Sequence, residues 1–120
     1  MASGVAGILM PRAVAAALDL TPASGRGVTE TRAGLGGTYA ALGAWALASR
    51  EPAADLAVGV TWLGAAATRI GSRKVDRPRT DASYWAYLGL EVGCGALSLA
   101  SAAARVRVRR RSAAGVAAAS

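Results

Sequence analysis

The sequence predicts an all-α integral membrane bundle. It has three full transmembrane helices plus a short or partial first helix, in an antiparallel up-down four-helix arrangement. Three observations carry this expectation. Charged residues make up 18% of the chain, below the roughly one quarter usual in soluble domains, and they cluster between apolar runs. Apolar residues make up 53%, but Phe is absent and much of the apolar content is alanine, which poorly supplies a large soluble core. Finally, Ala82–Ala104 carries a single charge, Glu91, and stops at the basic run Arg105-Val-Arg-Val-Arg-Arg-Arg111. At about 1.5 Å per residue, a helix of that length covers a hydrocarbon core of about 30 Å.

Taken in order, Val5–Leu20 is apolar but contains Pro11, Arg12 and Asp19. Too few apolar residues precede Pro11 for a span, and the internal arginine argues against a signal peptide. A short helix over about 5–20, bent or begun near Pro11, is expected. Thr21–Glu30 reads as a polar Gly/Pro/Ser loop. Ala33–Ser49 is a clean apolar run between Arg32 and Arg50, giving a second helix over about 31–50. Arg50-Glu-Pro52 is a tight connection, because Pro52 cannot continue a helix but can start one. The third helix covers about 53–72, with Asp55 near its start and Arg69 near its end. Ser72–Asp81 is a charged loop broken at Pro78, and the fourth helix covers 82–104. Tyr84, Trp85 and Tyr87 lie at its start, where aromatic rings prefer the headgroup level. Residues 1–104 are thus read as one transmembrane domain, and 105–120 as a basic, disordered tail.

Composition narrows function mainly by exclusion. There is no histidine and only one cysteine, Cys94, so disulfides within the chain, Cys/His metal sites and Cys–His or Ser–His catalytic pairs are ruled out. No nucleophile–base pair is found elsewhere, so a non-enzymatic protein without cofactor or metal is expected. Thirteen of the 14 basic residues are arginine and the formal net charge is +7. The arginine run reads as a topological and headgroup anchor, and nucleic acid is not the expected partner.

Placing side chains at about 100° per residue shows a polar stripe on each later helix. Tyr84, Tyr87, Glu91, Cys94, Gly95 and Ser98 share one direction on the fourth, while Asp55, Val58, Trp62 and Arg69 line up on the third. Ala82, Ala86, Gly89, Gly93, Ala96 and Ala100 form a small-residue stripe containing a GxxxG spacing, a device for close packing between helices or between copies of the chain. Gly34, Gly37, Ala41, Ala44 and Ala48 do the same on the second helix, with Gly36 beside them. If the later helices all span, Arg32, Arg69 and Glu91 lie in the same half of the membrane. Leu88, Leu90, Val92, Leu97 and Leu99 together contribute about −2 to −3 kcal/mol to insertion. A charge near the centre costs about +2.5 to +3.5 kcal/mol, so Glu91 needs a partner. Arg69 is the expected one and Arg32 its competitor.

The stretch Glu30-Thr-Arg-Ala-Gly-Leu-Gly-Gly-Thr-Tyr39 through Gly43, then Arg69 with Asp76, then Leu90-Glu91, resembles the small bacterial membrane proteins grouped as domain of unknown function 4345. The resemblance covers roughly Gly7–Ala103. It implies four transmembrane helices, an E-x-R-A-x-x-G-G motif opening the second, an arginine ending the third and a glutamate in the fourth. The family's first helix runs well upstream of the proline matching Pro11. Either translation starts upstream of Met1 or this first helix is curtailed. The family has no established activity, so the resemblance implies architecture and no chemistry.

The expectation is a small multi-pass cell-membrane protein of structural or accessory role with a cytoplasmic C-terminal tail. Its candidate polar cluster is Glu30, Arg32, Tyr39, Arg69, Tyr87 and Glu91, and its packing residues are Gly36, Gly37, Gly89 and Gly93. The partners are the lipid bilayer and, through the small-residue faces, a second copy or another membrane protein. The alternative is a binder or transporter of a small anionic or amphipathic ligand.

Overall fold

The computed structural model describes residues 1–119, and every regular element among them is helical. Where one domain is expected, the chain forms two compact units, Met1–Ser49 and Arg50–Ser120.

In the first unit the expected short helix is two, α1 (Ala2–Leu9) and α2 (Pro11–Ala17). Pro11 has no N–H for the carbonyl one turn back, and it forces Met10 out of helical geometry, at φ −129° and ψ 56°. The segment α2 is closed just beyond its end by Asp19, which takes a left-handed φ of 58°. Its N–H bonds Ala16 and that of Leu20 bonds Ala15, the paired pattern that satisfies a helix's last carbonyls.

The next helix begins well before residue 31. Ser24 caps α3 (Gly25–Thr31) by accepting the Gly27 N–H at 3.1 Å. A glycine-rich stretch that reads as loop is thereby held helical. The helix then widens into a π-helical segment, Arg32–Gly37, before continuing as α4 (Thr38–Ala48). Thr38 donates to the Ala33 carbonyl five residues back, in keeping with the wider turn.

Packing in this unit is backbone against backbone. Gly7 faces Gly36, Gly4 faces Tyr39–Ala40, and Gly43 faces Met1. A Cβ on Gly36 would lie 2.6 Å from the Ile8 nitrogen, so the close approach depends on the missing side chain. Gly37, expected to pack, faces open space, as does Gly34. The run carries two small-residue stripes of equal quality, and α1 occupies the one through Gly36, Ala40 and Gly43.

The second unit is a helical hairpin of α5 (Pro52–Val75) and α6 (Ala82–Ala119). Pro52 occupies the first turn of α5, where its lost N–H costs nothing. The helix stops at Asp76, followed by Arg77 at a left-handed φ of 47° and then Pro78. Asp81 caps α6 through the Tyr84 N–H at 3.0 Å. The expected disordered tail is instead a continuation of α6 through Ala119, while Ser120 lies outside the described residues. Two observations account for the difference. Arg105 and Arg109 are held by Asp55 on α5 and by Glu51 just before it, and Ala and Arg are strong helix formers.

The close approach of α5 and α6 is at Gly59 and Gly95, each within 3.2 Å of the other's carbonyl oxygen if given a Cβ. Gly89 and Gly93, expected at the packing face, look onto open space. Among the described residues no large side chain is fully buried, and the buried apolar residues include Ala54, Ala66, Tyr84 and Ala102.

Candidate functional site: a charged seam between two helices

The seam of the hairpin follows a seven-residue repeat. Asp55, Trp62 and Arg69 recur at that spacing on α5, and Tyr84, Glu91, Ser98 and Arg105 on α6. Such a repeat keeps one stripe facing a partner helix. Here the stripe is polar where an ordinary coiled coil is apolar.

Near the α6 start, Arg69 and Glu91 form a bidentate pair. Arg69 Nε donates to Glu91 Oε2 at 2.9 Å and Nη2 to Oε1 at 2.6 Å. The Glu91 side chain is 7% exposed and that of Arg69 26%. Two rings flank the guanidinium, with its carbon 5.7 Å from the Tyr84 centroid and 5.8 Å from that of Tyr87. Planar delocalised charge against aromatic faces adds to the ion pair. The Tyr84 hydroxyl donates to the Arg69 backbone carbonyl at 2.8 Å, fixing the helix that carries the arginine. One turn on, Arg73 lies over Trp85 at 5.1 Å.

Toward the other end, Asp55 is buried and accepts from the Ser101 hydroxyl at 2.7 Å and from Arg105 Nε at 2.8 Å. One turn further out, Arg109 binds Glu51 through both terminal nitrogens, at 2.7 and 2.9 Å, and reaches the Arg50 carbonyl. The three pairs share one register. Glu51 to Asp55 is four residues, as is Arg105 to Arg109, and Asp55 to Arg69 is fourteen, as is Glu91 to Arg105. The sense of the charge reverses along the hairpin, with acids first on α5 and arginines last on α6. A slip of one turn would therefore separate Arg69 from Glu91 and leave at most one outer pair.

Outside the apolar stretch, two carboxylates sit below their ordinary range. Glu51 is lowered by the hydrogen bonds and charge of Arg109. Asp81 is lowered by the Ser83 hydroxyl and then the Tyr84 N–H.

Of the six residues expected to cluster, the structure brings together Arg69, Tyr87 and Glu91. Glu30, Arg32 and Tyr39 belong to the first unit and have other local roles. Glu30 lies 3.7 Å from Arg26 one turn back, both exposed. Arg32 Nε donates at 3.0 Å to the Ile8 carbonyl, which the break at Pro11 leaves without its helical partner. Tyr39 contributes backbone to the Gly4 contact.

Glu51, Ser101, Arg105 and Arg109 are the members of the seam that sequence reasoning left out, while Asp55 and Tyr84 were placed on the facing stripes but not in the cluster. The signal was present: Asp55 to Arg69 on α5 and Glu91 to Arg105 on α6 have the same spacing with opposite charges. Reading the arginine run as disordered hid it. In comparisons with protein-family models, curated proteins and solved structures, the chain matches none of them.

Proposed function

We propose that the chain is a small integral membrane protein of structural or accessory role, in which paired charges fasten helices inside the bilayer. One observation carries the reading: the hairpin buries carboxylates and leaves large apolar side chains exposed. Asp55 and Glu91 are buried, while Leu90 is 48% exposed, Val60 59% and Leu97 74%. Water favours the reverse arrangement, and large contiguous apolar surfaces on soluble monomers are rare.

Residues Ala82–Gly115 are long and apolar enough to cross a membrane, and only 17% of their most apolar window is buried within the protein. The core helix of a soluble protein would be mostly buried. Helix α5 is about 36 Å long at the standard rise, and its internal charges Asp55 and Arg69 both have partners on α6. That pairing offsets much of the cost that a count of charges assigns to α5, which makes it the second span of this proposal. The apolar run 33–48 is the third, and the resemblance to the domain of unknown function 4345 family agrees with this multi-pass arrangement. The arginine end of α6 faces the cytoplasm in this reading, following the positive-inside rule.

The ligand-binding alternative has less support, because both Glu91 oxygens and two Arg69 nitrogens are already engaged with each other.

The test is extraction. The protein should remain with membranes in alkaline carbonate and require detergent for release, and a C-terminal reporter should be active only in the cytoplasm. Recovery as a soluble monomer would overturn the membrane reading. A reporter active only outside would reverse the orientation.

A further inference from the structure

We infer that the arginine run of α6 is divided by helix face into an internal clasp and an outward patch that binds the phosphates of anionic lipid headgroups. The proposal rests on the membrane-spanning reading above and names the lipid class that its basic end recognises.

At about 100° per residue, Arg109 lies within about 40° of Arg105, whereas Arg107, Arg110 and Arg111 fall within about 60° of the opposite direction. The contacts agree with that division. Arg105 and Arg109 are taken by Asp55 and Glu51. Arg107, Arg110 and Arg111 are exposed, and no ion pair among the described residues involves them. A disordered tail would present all five alike, but a helix fixed at two of them must turn the other three away.

Depth selects the ligand. Arg107 rises about 4.5 Å beyond Ala104 and Arg111 about 10 Å. The headgroup layer occupies roughly 5–8 Å on each side of the hydrocarbon core, so the patch stands among phosphates. Guanidinium groups bind phosphate oxygens in a bidentate way. Anionic lipids leave that phosphate charge uncompensated, whereas phosphatidylcholine carries its own cation. Nucleic acid fits less well, since single-strand binders interleave basic residues with stacking aromatics and residues 105–120 contain none.

The experiment uses the full chain in detergent, titrated with phosphatidylglycerol and with phosphatidylcholine, with bound lipid counted by native mass spectrometry. Wild type is compared with Arg107→Gln/Arg110→Gln/Arg111→Gln and with the corresponding triple lysine variant. Preference for phosphatidylglycerol should fall about fivefold per arginine removed, on the order of a hundredfold in the glutamine variant. The lysine variant should keep most of it, and circular dichroism should show unchanged helicity in both.

An unchanged preference in the glutamine variant would overturn the patch. So would a single-stranded oligonucleotide that displaces the lipid through the same arginines. Extraction by alkaline carbonate would remove the spanning reading separately. Flotation with vesicles containing phosphatidylglycerol would then decide the patch by itself. Loss of flotation in the glutamine variant upholds it, and retained flotation overturns it.

Discussion

The two units of this chain solve the same problem in opposite ways. Met1–Ser49 brings helices together by removing side chains: Gly4, Gly7, Gly36 and Gly43 let backbone meet backbone. Arg50–Ser120 uses glycine at one crossing and fixes the rest of the hairpin with three ion pairs in a common register. Glycine contacts are short-ranged and carry little directional information, so a stripe of them tolerates alternatives. Charges that reverse sign along the helices admit one alignment in which all three pairs form. The first unit is thus specified by shape and the second by electrostatics.

The sharpest way to break the comparison is a double-mutant cycle on Arg69 and Glu91. Removing one partner strands the other, at a cost of about 3–5 kcal/mol, whereas removing both is far milder. Glu91→Ala and Arg69→Ala should each lower the melting temperature in detergent strongly, and the double variant should lose less than their sum. Strict additivity would show that the pair does not hold the hairpin.

Next in size is Gly36→Ala. Its new Cβ meets Ile8 and Gly7 backbone, which cannot move aside, so a loss of roughly 1–3 kcal/mol is expected. Gly95→Ala meets mainly the Leu63 side chain, with the Gly59 carbonyl farther off, and should cost less. Equal losses in thermal melts would mean that both units depend on backbone contact.

Smaller still, and opposite in sign, is Gly89→Ala together with Gly93→Ala. Both face open space, and each replacement should stabilise the helix by about 0.5–1 kcal/mol. Destabilisation that depends on protein concentration would reveal instead a second copy seated on that stripe.

The smallest effect is in pH. Glu51 has a folded pKa below its ordinary 4.5, so its contribution is present above that value and is lost as pH falls through the lowered one. The outer turns of the hairpin should fray first in acid, and Glu51→Gln should abolish that dependence. Amide exchange around Arg109 would follow it, and unchanged acid fraying in Glu51→Gln would assign the effect elsewhere.

Much of the hairpin was legible in residues alone. The apolar stretch after Asp81, the proline that starts α5 and the need of Glu91 for an arginine all follow from local chemistry. An unpaired charge is costly wherever the helix lies in an apolar medium. Periodicity also placed Arg69 and Asp55 on one face. What it could not supply was the choice between equivalent stripes. Gly34/Gly37 and Gly36/Gly43 are equally small, and Gly89/Gly93 looked as good a packing face as Gly95.

That choice belongs to the partner helix, because small side chains permit contact without requiring it. The same holds for the arginine run. Helical content after Ala104 depends on acids some fifty residues earlier in the chain, Glu51 and Asp55, which only the folded hairpin brings beside Arg109 and Arg105. Sequence by itself determined the apolar helical runs and which charges need company. Tertiary structure decided which faces meet, because pairing across helices is a long-range event that local periodicity does not encode.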